Sequence, residues 1–190
     1  MLADASGFLG GKVLIAMPGI GDPRFERSVI YMCTHSEEVA MGLILNKPAS
    51  DILFENLLEQ LDIAVAPGLV MPRIVIGGPV ERSRGFVLHS DDYRCVDGTL
   101  PTGNGIGMTA SVDILRDIAC GRGPSEAILA LGYSGWGPGQ LEREIRANGW
   151  LVCDADAQMV FANDAPQMWQ AALARLGVDA HTLSRDGGMA

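Results

Sequence analysis

Apolar residues come in short bursts through the first half of the chain, and the bursts have the boundaries of strands. Lys12–Met17 (KVLIAM) is a nearly unbroken apolar run stopped by Pro18 and the glycines Gly19 and Gly21. A run of that length without alternation predicts a strand buried on both faces. Arg27–Thr34 (RSVIYMCT) and Val39–Asn46 (VAMGLILN) follow, rich in β-branched and aromatic side chains. The polar link Ser36–Glu38 between them predicts a hairpin. At Ser50–Asp62 the period changes: Phe54, Leu57, Leu58 and Leu61 form the stripe of an amphipathic helix, with Ser50 or Asp51 available to cap it.

Pro67–Pro72 reads as a connector, and Arg73–Ile76, Gly85–His89 and Gly105–Thr109 as strands. Ser90–Asn104 is polar and rich in Asp and Gly, which predicts an irregular loop with a short strand near Cys95. Ser111–Cys120 reads as a helix stopped by Gly121, Glu126–Tyr133 as a strand, and Gln140–Ala147 as a short helix. Trp150–Cys153 and Met159–Phe161, joined by a DADAQ turn, predict a hairpin. The last helix has a capping box in Asp164 and Gln167, Pro166 in its first turn, and a buried face of Met168, Trp169, Ala172, Leu173 and Leu176. Everything after Val178 reads as a loose tail. Strands and helices mix without strict alternation, so the fold class is α+β with a mixed sheet, in one domain over residues 1–190 with its core at about 12–176.

Composition narrows the function more than the fold. With 190 residues, 48% hydrophobic and 19% charged, the chain can build a full core and is not a disordered tail. Its formal charge is −9, and only Lys12 and Lys47 of its cations are lysines. A surface this acidic repels a phosphate backbone, which disfavours direct DNA contact. Cys33, Cys95, Cys120 and Cys153 lie far apart with no CxxC, which predicts unpaired, mostly buried thiols in a cytoplasmic protein. The first twenty residues make a poor signal peptide, and no uncharged apolar run approaches the roughly 20 residues of a membrane span.

Chemistry-bearing residues are few. Gly132-Tyr133-Ser134-Gly135-Trp136 nearly matches the nucleophile elbow G-x-S-x-G, but tryptophan stands where the sharp turn needs a glycine. Cys33 and His35, two apart on a predicted strand, are expected to share a face and, with His89 and Cys95, could in principle hold a metal or form a Cys–His pair. The plainer reading is a core thiol behind a strand-end histidine. Gly77-Gly78-Pro79 makes a stiff turn that leads to Arg82 and Arg84, and Arg24 and Arg27 follow a comparable turn. Asp91-Asp92 sits in a loop.

Taken together, the motifs resemble the AlgH family, also called YqgE, a widespread bacterial family. The matching blocks are Ala16-Met17-Pro18, Asp22-Pro23 with Phe25 and Arg27-Ser28, Tyr31 with Cys33 and His35, and Met41-Gly42-Leu43 through Asn46-Lys47-Pro48. They continue with Gly77-Gly78-Pro79-Val80, Gly85 through His89, Leu131-Gly132-Tyr133, Gly135-Trp136-Gly137, Gly139-Gln140-Leu141, Asn148 and Trp150-Leu151. The resemblance implies a single α+β domain whose mixed sheet curls toward a pseudo-barrel flanked by helices. It also implies a transcriptional-regulator role with no agreed enzymatic activity. Ser134 stands where the family commonly has alanine, which weakens it as a nucleophile, and Lys47 where arginine is frequent.

The resemblance also suggests a shared surface, in which Asp22, Arg27, His35, Gly77, Gly78, Pro79, His89, Tyr133 and Trp136 line one cleft at strand ends. The leading expectation is a regulatory protein that binds a ligand or a protein partner. The alternative is a small-molecule enzyme using His35 or His89 as a general base, hydrogen-bonded to an acid such as Asp22. Neither reading calls for a cofactor, a metal or a membrane, and the oligomeric state is left open.

Overall fold

The computed structural model describes residues 7–95 and 98–183. One sheet of nine strands forms its frame: β1 (Lys12–Ala16), β2 (Val29–His35), β3 (Ala40–Ile44), β4 (Arg73–Ile76), β5 (Val80–Ser90), β6 (Thr99–Gly103), β7 (Ile106–Thr109), β8 (Ala127–Trp136) and β9 (Trp150–Asp154). Their order is β6-β7-β5-β8-β3-β2-β1-β9, with β4 also beside β8. The β4–β8 pair is parallel and the others are antiparallel, so the sheet is mixed. Five helices dress it: α1 (Phe54–Gln60), α2 (Val112–Ala119), α3 (Gln140–Arg146), α4 (Ala157–Phe161) and α5 (Ala165–Arg175).

The sheet curls because β8 changes partners midway. Ile128–Leu131 lies between β4 and β5, whereas Ser134–Trp136 pairs with β3. Gly132 stands between the two halves at φ +72°, and a Cβ there would come within 2.7 Å of the Gly78 and Val80 carbonyl oxygens. Only glycine tolerates both the left-handed backbone and that approach. The concave face gathers Val13, Ile15, Tyr31, Leu43, Phe86 and Leu88, plugged by Met159, Val160, Met168, Trp169 and Leu173 of α4 and α5. The curl is tied across by the Tyr31 hydroxyl to Thr102 Oγ1 at 2.8 Å and by Asn104 Nδ2 donating to the Gly11 carbonyl at 2.8 Å.

Two outer faces complete the layers. On the β4–β5–β8 face, α1 and α2 cover Ile74, Val87, Leu129 and Leu131. The β1–β3 face packs Leu14, Ile30, Met32, Trp136 and Trp150 against Leu141 of α3. That double covering explains the unbroken apolar run in β1: Val13 and Ile15 face one core, Leu14 and Ala16 the other, and all four are fully buried. Each such large side chain contributes roughly 1.5–3 kcal/mol on leaving water. No helix among the described residues is long and apolar enough to cross a membrane.

Several expectations change. Met159–Phe161 belongs to helix α4, not to a hairpin partner of β9; Asp156 caps it by accepting the Met159 N–H at 2.8 Å, and Met159 and Val160 pack into the concave core. Helix α1 starts at Phe54 with Leu53 as its N-cap, so neither Ser50 nor Asp51 caps it. The strand expected near Cys95 is β6, further along, because its ladder with β7 begins at Thr99. Leu176 is the C-cap of α5 and stays 39% exposed, outside the buried face. Val178, Ala180 and Leu183 pack on the core, so the start of the expected tail is anchored; residues 184–190 lie outside the described residues.

Candidate functional site

A cleft of about 520 Å³ opens on the α3 side of the sheet, between the segment Gly19–Phe25 and α3. Trp136 ends β8 and Trp150 begins β9. Each stands opposite an alanine in the sheet ladder, Ala40 and Ala16 respectively, and the small neighbours leave room for the indoles. The two rings meet edge to face at 5.9 Å, and Phe25 meets Trp150 the same way at 5.7 Å. Gln140 and Glu144, one turn apart on α3, share the helix face that closes the site. Oε2 of Glu144 accepts both indole N–H groups, Trp136 at 2.9 Å and Trp150 at 2.8 Å, while Oε1 accepts from Gln140 Nε2 at 2.9 Å. A carboxylate makes stronger bonds to these donors than a neutral oxygen would, so Glu144 sets the tilt of both rings.

Asp22 forms the rim. It caps the short 3-10 turn Pro23–Phe25 by accepting the Arg24 N–H at 2.9 Å, and it grips the Arg24 guanidinium at 2.7 Å. The hydrogen bonds from the Arg24 side chain hold its carboxyl below the ordinary carboxylate range. Pro79 and Val80 supply the facing wall. Behind them Gly77 and Gly78 cross β8 so closely that a Cβ on Gly78 would lie 2.1 Å from the Tyr133 carbonyl carbon.

The nine residues expected to line one cleft therefore separate. Asp22, Pro79 and Trp136 line it, and Gly77 and Gly78, packed against β8, lie outside its lining. Tyr133 projects to the concave side, packed against Phe86 at 5.8 Å, since alternate residues of a strand point to opposite faces. Arg27 lies over the Trp169 ring at 5.5 Å. His35 meets α3 at Glu142: Nδ1 accepts the Leu9 N–H at 3.0 Å, so Nε2 carries the proton donated to Glu142 Oε1 at 2.8 Å. His89 is fully buried between β5 and β7, with Nδ1 donating to the Ser90 carbonyl and Nε2 accepting from the Thr109 hydroxyl, each at 2.9 Å. Burial lowers its pKa from the ordinary value.

The other catalytic patterns come apart as well. A bulge between Met32 and Thr34 flips the alternation of β2, so Cys33 faces the concave core while His35 pairs with Ala40 and reaches α3. Burial pushes the Cys33 thiol well up, away from the nucleophilic thiolate. Ser134 is fully buried, and its hydroxyl donates to the Gly77 carbonyl at 3.3 Å. Among the described residues no three His, Cys, Asp or Glu side chains are grouped to hold a metal ion. Asp92, in the acidic loop, accepts from the Ser90 hydroxyl and the Ser125 N–H, which ties that loop down.

Glu144, Phe25 and Trp150 were not expected at the site. Their signal in the sequence was faint: two tryptophans flanking a helix that carries an acid on the Gln140 face.

Comparison with known proteins matches this architecture. The solution structure of the AlgH protein from Pseudomonas aeruginosa superposes with a TM-score of 0.78, at 39% identity over all of both chains. An X-ray structure of a Corynebacterium diphtheriae protein gives 0.71 at 26% identity, over 88% of this chain and 86% of that one. UPF0301 proteins of Rhodopseudomonas palustris and Ruegeria pomeroyi are 55% and 56% identical, each over 96% of this chain, and over 87% and 99% of their own lengths. The AlgH-like family model (DUF179) matches residues 13–181, within which the cleft and both tryptophans lie, and this chain belongs to the AlgH-like family.

Proposed function

We propose that this chain is a regulatory binding protein, acting through a ligand or protein partner seated in the Trp136–Trp150 cleft rather than by catalysis or direct contact with DNA. One observation carries the reading: sequence blocks far apart in the chain converge there, with Asp22 and Phe25, Pro79 and Val80, Gly135 and Trp136, and Gln140 and Trp150 all in its lining. Concave, aromatic surfaces with a few fixed polar groups are the usual form of a binding site. His35 does bond an acid, Glu142 rather than Asp22, but the Leu9 N–H takes its other nitrogen, and both nitrogens of His89 are engaged, which speaks against a free general base. Arg24, Arg84, Arg116, Arg122, Arg175 and Lys12 each pair with an acid, leaving little concentrated positive charge for a duplex. A cytoplasmic setting belongs to the same proposal, supported by four unpaired cysteines.

The test is native mass spectrometry on untagged protein taken gently from its own cells, beside a Val80→Glu variant. Val80 is 37% exposed on the wall, so the variant alters the cleft without opening the core. A stoichiometric small molecule or second polypeptide on the wild type, lost in the variant, supports the proposal. Equal retention by both proteins removes the cleft as the site.

A further inference from the structure

The loop that forms the rim of the cleft ends at Arg27, and Arg27 borders a second, separate hollow of about 170 Å³. Lys47 and Trp169 line the same hollow, with Pro166 and Gln170 at the start of α5. Two cations thus face one small space in a chain of formal charge −9.

Neither cation is in any salt bridge among the described residues, unlike Lys12, Arg24, Arg84, Arg116, Arg122 and Arg175. The Arg27 guanidinium lies over the Trp169 ring at 5.5 Å, and none of its N–H groups bonds to a protein acceptor among the described residues. Among the described residues the Lys47 ammonium donates once, to the Glu26 carbonyl at 2.6 Å, and its other donors have no acceptor there. Glu26 borders an adjoining hollow, and Asp164 caps α5.

Arg27 is also held where arginine is not at ease. Its φ is +53°, a left-handed backbone that glycine adopts freely and arginine does not. Asn46 keeps it there: Nδ2 donates to the Arg27 carbonyl at 2.8 Å, while Oδ1 accepts the Val29 N–H at 2.9 Å. Lys47 pins the preceding carbonyl. Strained residues held by several neighbours gather at binding sites. The ring beneath the guanidinium fixes its plane and leaves its N–H edge for an oxyanion, and Lys47 adds a point charge.

We propose that Arg27 and Lys47 form a phosphate site, taking free phosphate or the phosphate group of a small phosphorylated molecule. The test is a ¹⁵N NMR titration of the full chain with inorganic phosphate at constant ionic strength, run beside one with glycerol 3-phosphate. Expected are saturable shifts at the Arg27, Ser28 and Lys47 amides and the Trp169 indole N–H, while the Trp136 and Trp150 indole signals stay in place as a report on fold and cleft. Tighter binding of glycerol 3-phosphate identifies a phosphorylated molecule as the ligand, and equal binding identifies phosphate itself. Arg27→Gln should weaken binding by about tenfold or more, the loss of a charge-assisted pair. Lys47→Gln should do the same, with Lys47→Arg restoring the loop if Lys47→Gln loosens it. Shifts that never saturate, or an Arg27→Gln protein that binds as wild type does, overturn the proposal.

Discussion

Replacing Glu144 by alanine takes away the carboxylate that serves both tryptophans of the cleft. Trp136 and Trp150 are only 4% and 2% exposed, so their N–H groups cannot simply turn to bulk water. A stranded buried donor costs about 1–3 kcal/mol. Two are stranded here, but Glu144 is itself half-buried, and water entering its place recovers part of the loss. The expected destabilisation is therefore about 2–4 kcal/mol, the lower half of the range for two donors. At about 2–4 °C per kcal/mol for a chain of this length, a 3 kcal/mol loss lowers Tm by about 6–12 °C. Glu144→Gln is the control. A side-chain oxygen in the Oε2 position still accepts both indoles, while the charge and the bond from Gln140 Nε2 are lost, for about 1–2 kcal/mol. Urea unfolding followed by circular dichroism measures both, and the indole signals in ¹⁵N spectra show which ring has lost its partner. A Glu144→Ala protein within about 0.5 kcal/mol of wild type would mean that the carboxylate does not organise the cleft.

Gly78→Ala should be far more damaging than its single methyl suggests. The new Cβ meets the Tyr133 carbonyl carbon at 2.1 Å and the Ser134 nitrogen at 2.4 Å, all backbone, so two strands must part. A loss above about 3 kcal/mol is expected, and an unchanged thermal midpoint would refute the crossing geometry. His89 should make the fold acid-sensitive. Its folded pKa lies below the ordinary 6.5, so the unfolded chain binds a proton first as pH falls. Its stabilising contribution is present above pH 6.5 and is lost as pH drops toward the folded pKa. Urea midpoints between pH 7.5 and 5 should fall more steeply for wild type than for His89→Gln, and parallel slopes would contradict the assignment.

What could be read from the chain is what neighbours in sequence decide. The apolar runs of β1 to β3, the helix stopped at Gly121 and the Asp164 cap each depend on residues a few positions apart, and the structure shows them where the pattern put them. Met159–Phe161 was misread because three apolar residues suit a strand or a buried helical turn equally, and only the concave core decides between them. The site depended on the fold still more. The resemblance puts Asp22, Pro79 and Trp136 in one cleft together with six other residues, and the β8 crossing at Gly132 decides that these three meet there while Arg27, His35, His89 and Tyr133 go elsewhere. One extra residue in β2 turned His35 from the Cys33 face to Glu142, 107 positions away. Glu144 looks like any surface acid on a short helix until two sheet registers bring an indole to each side of one oxygen. Hydrophobic period says which side chains leave water. Which polar atoms they meet there is set by register and curl, and those arise from the packing of the whole sheet.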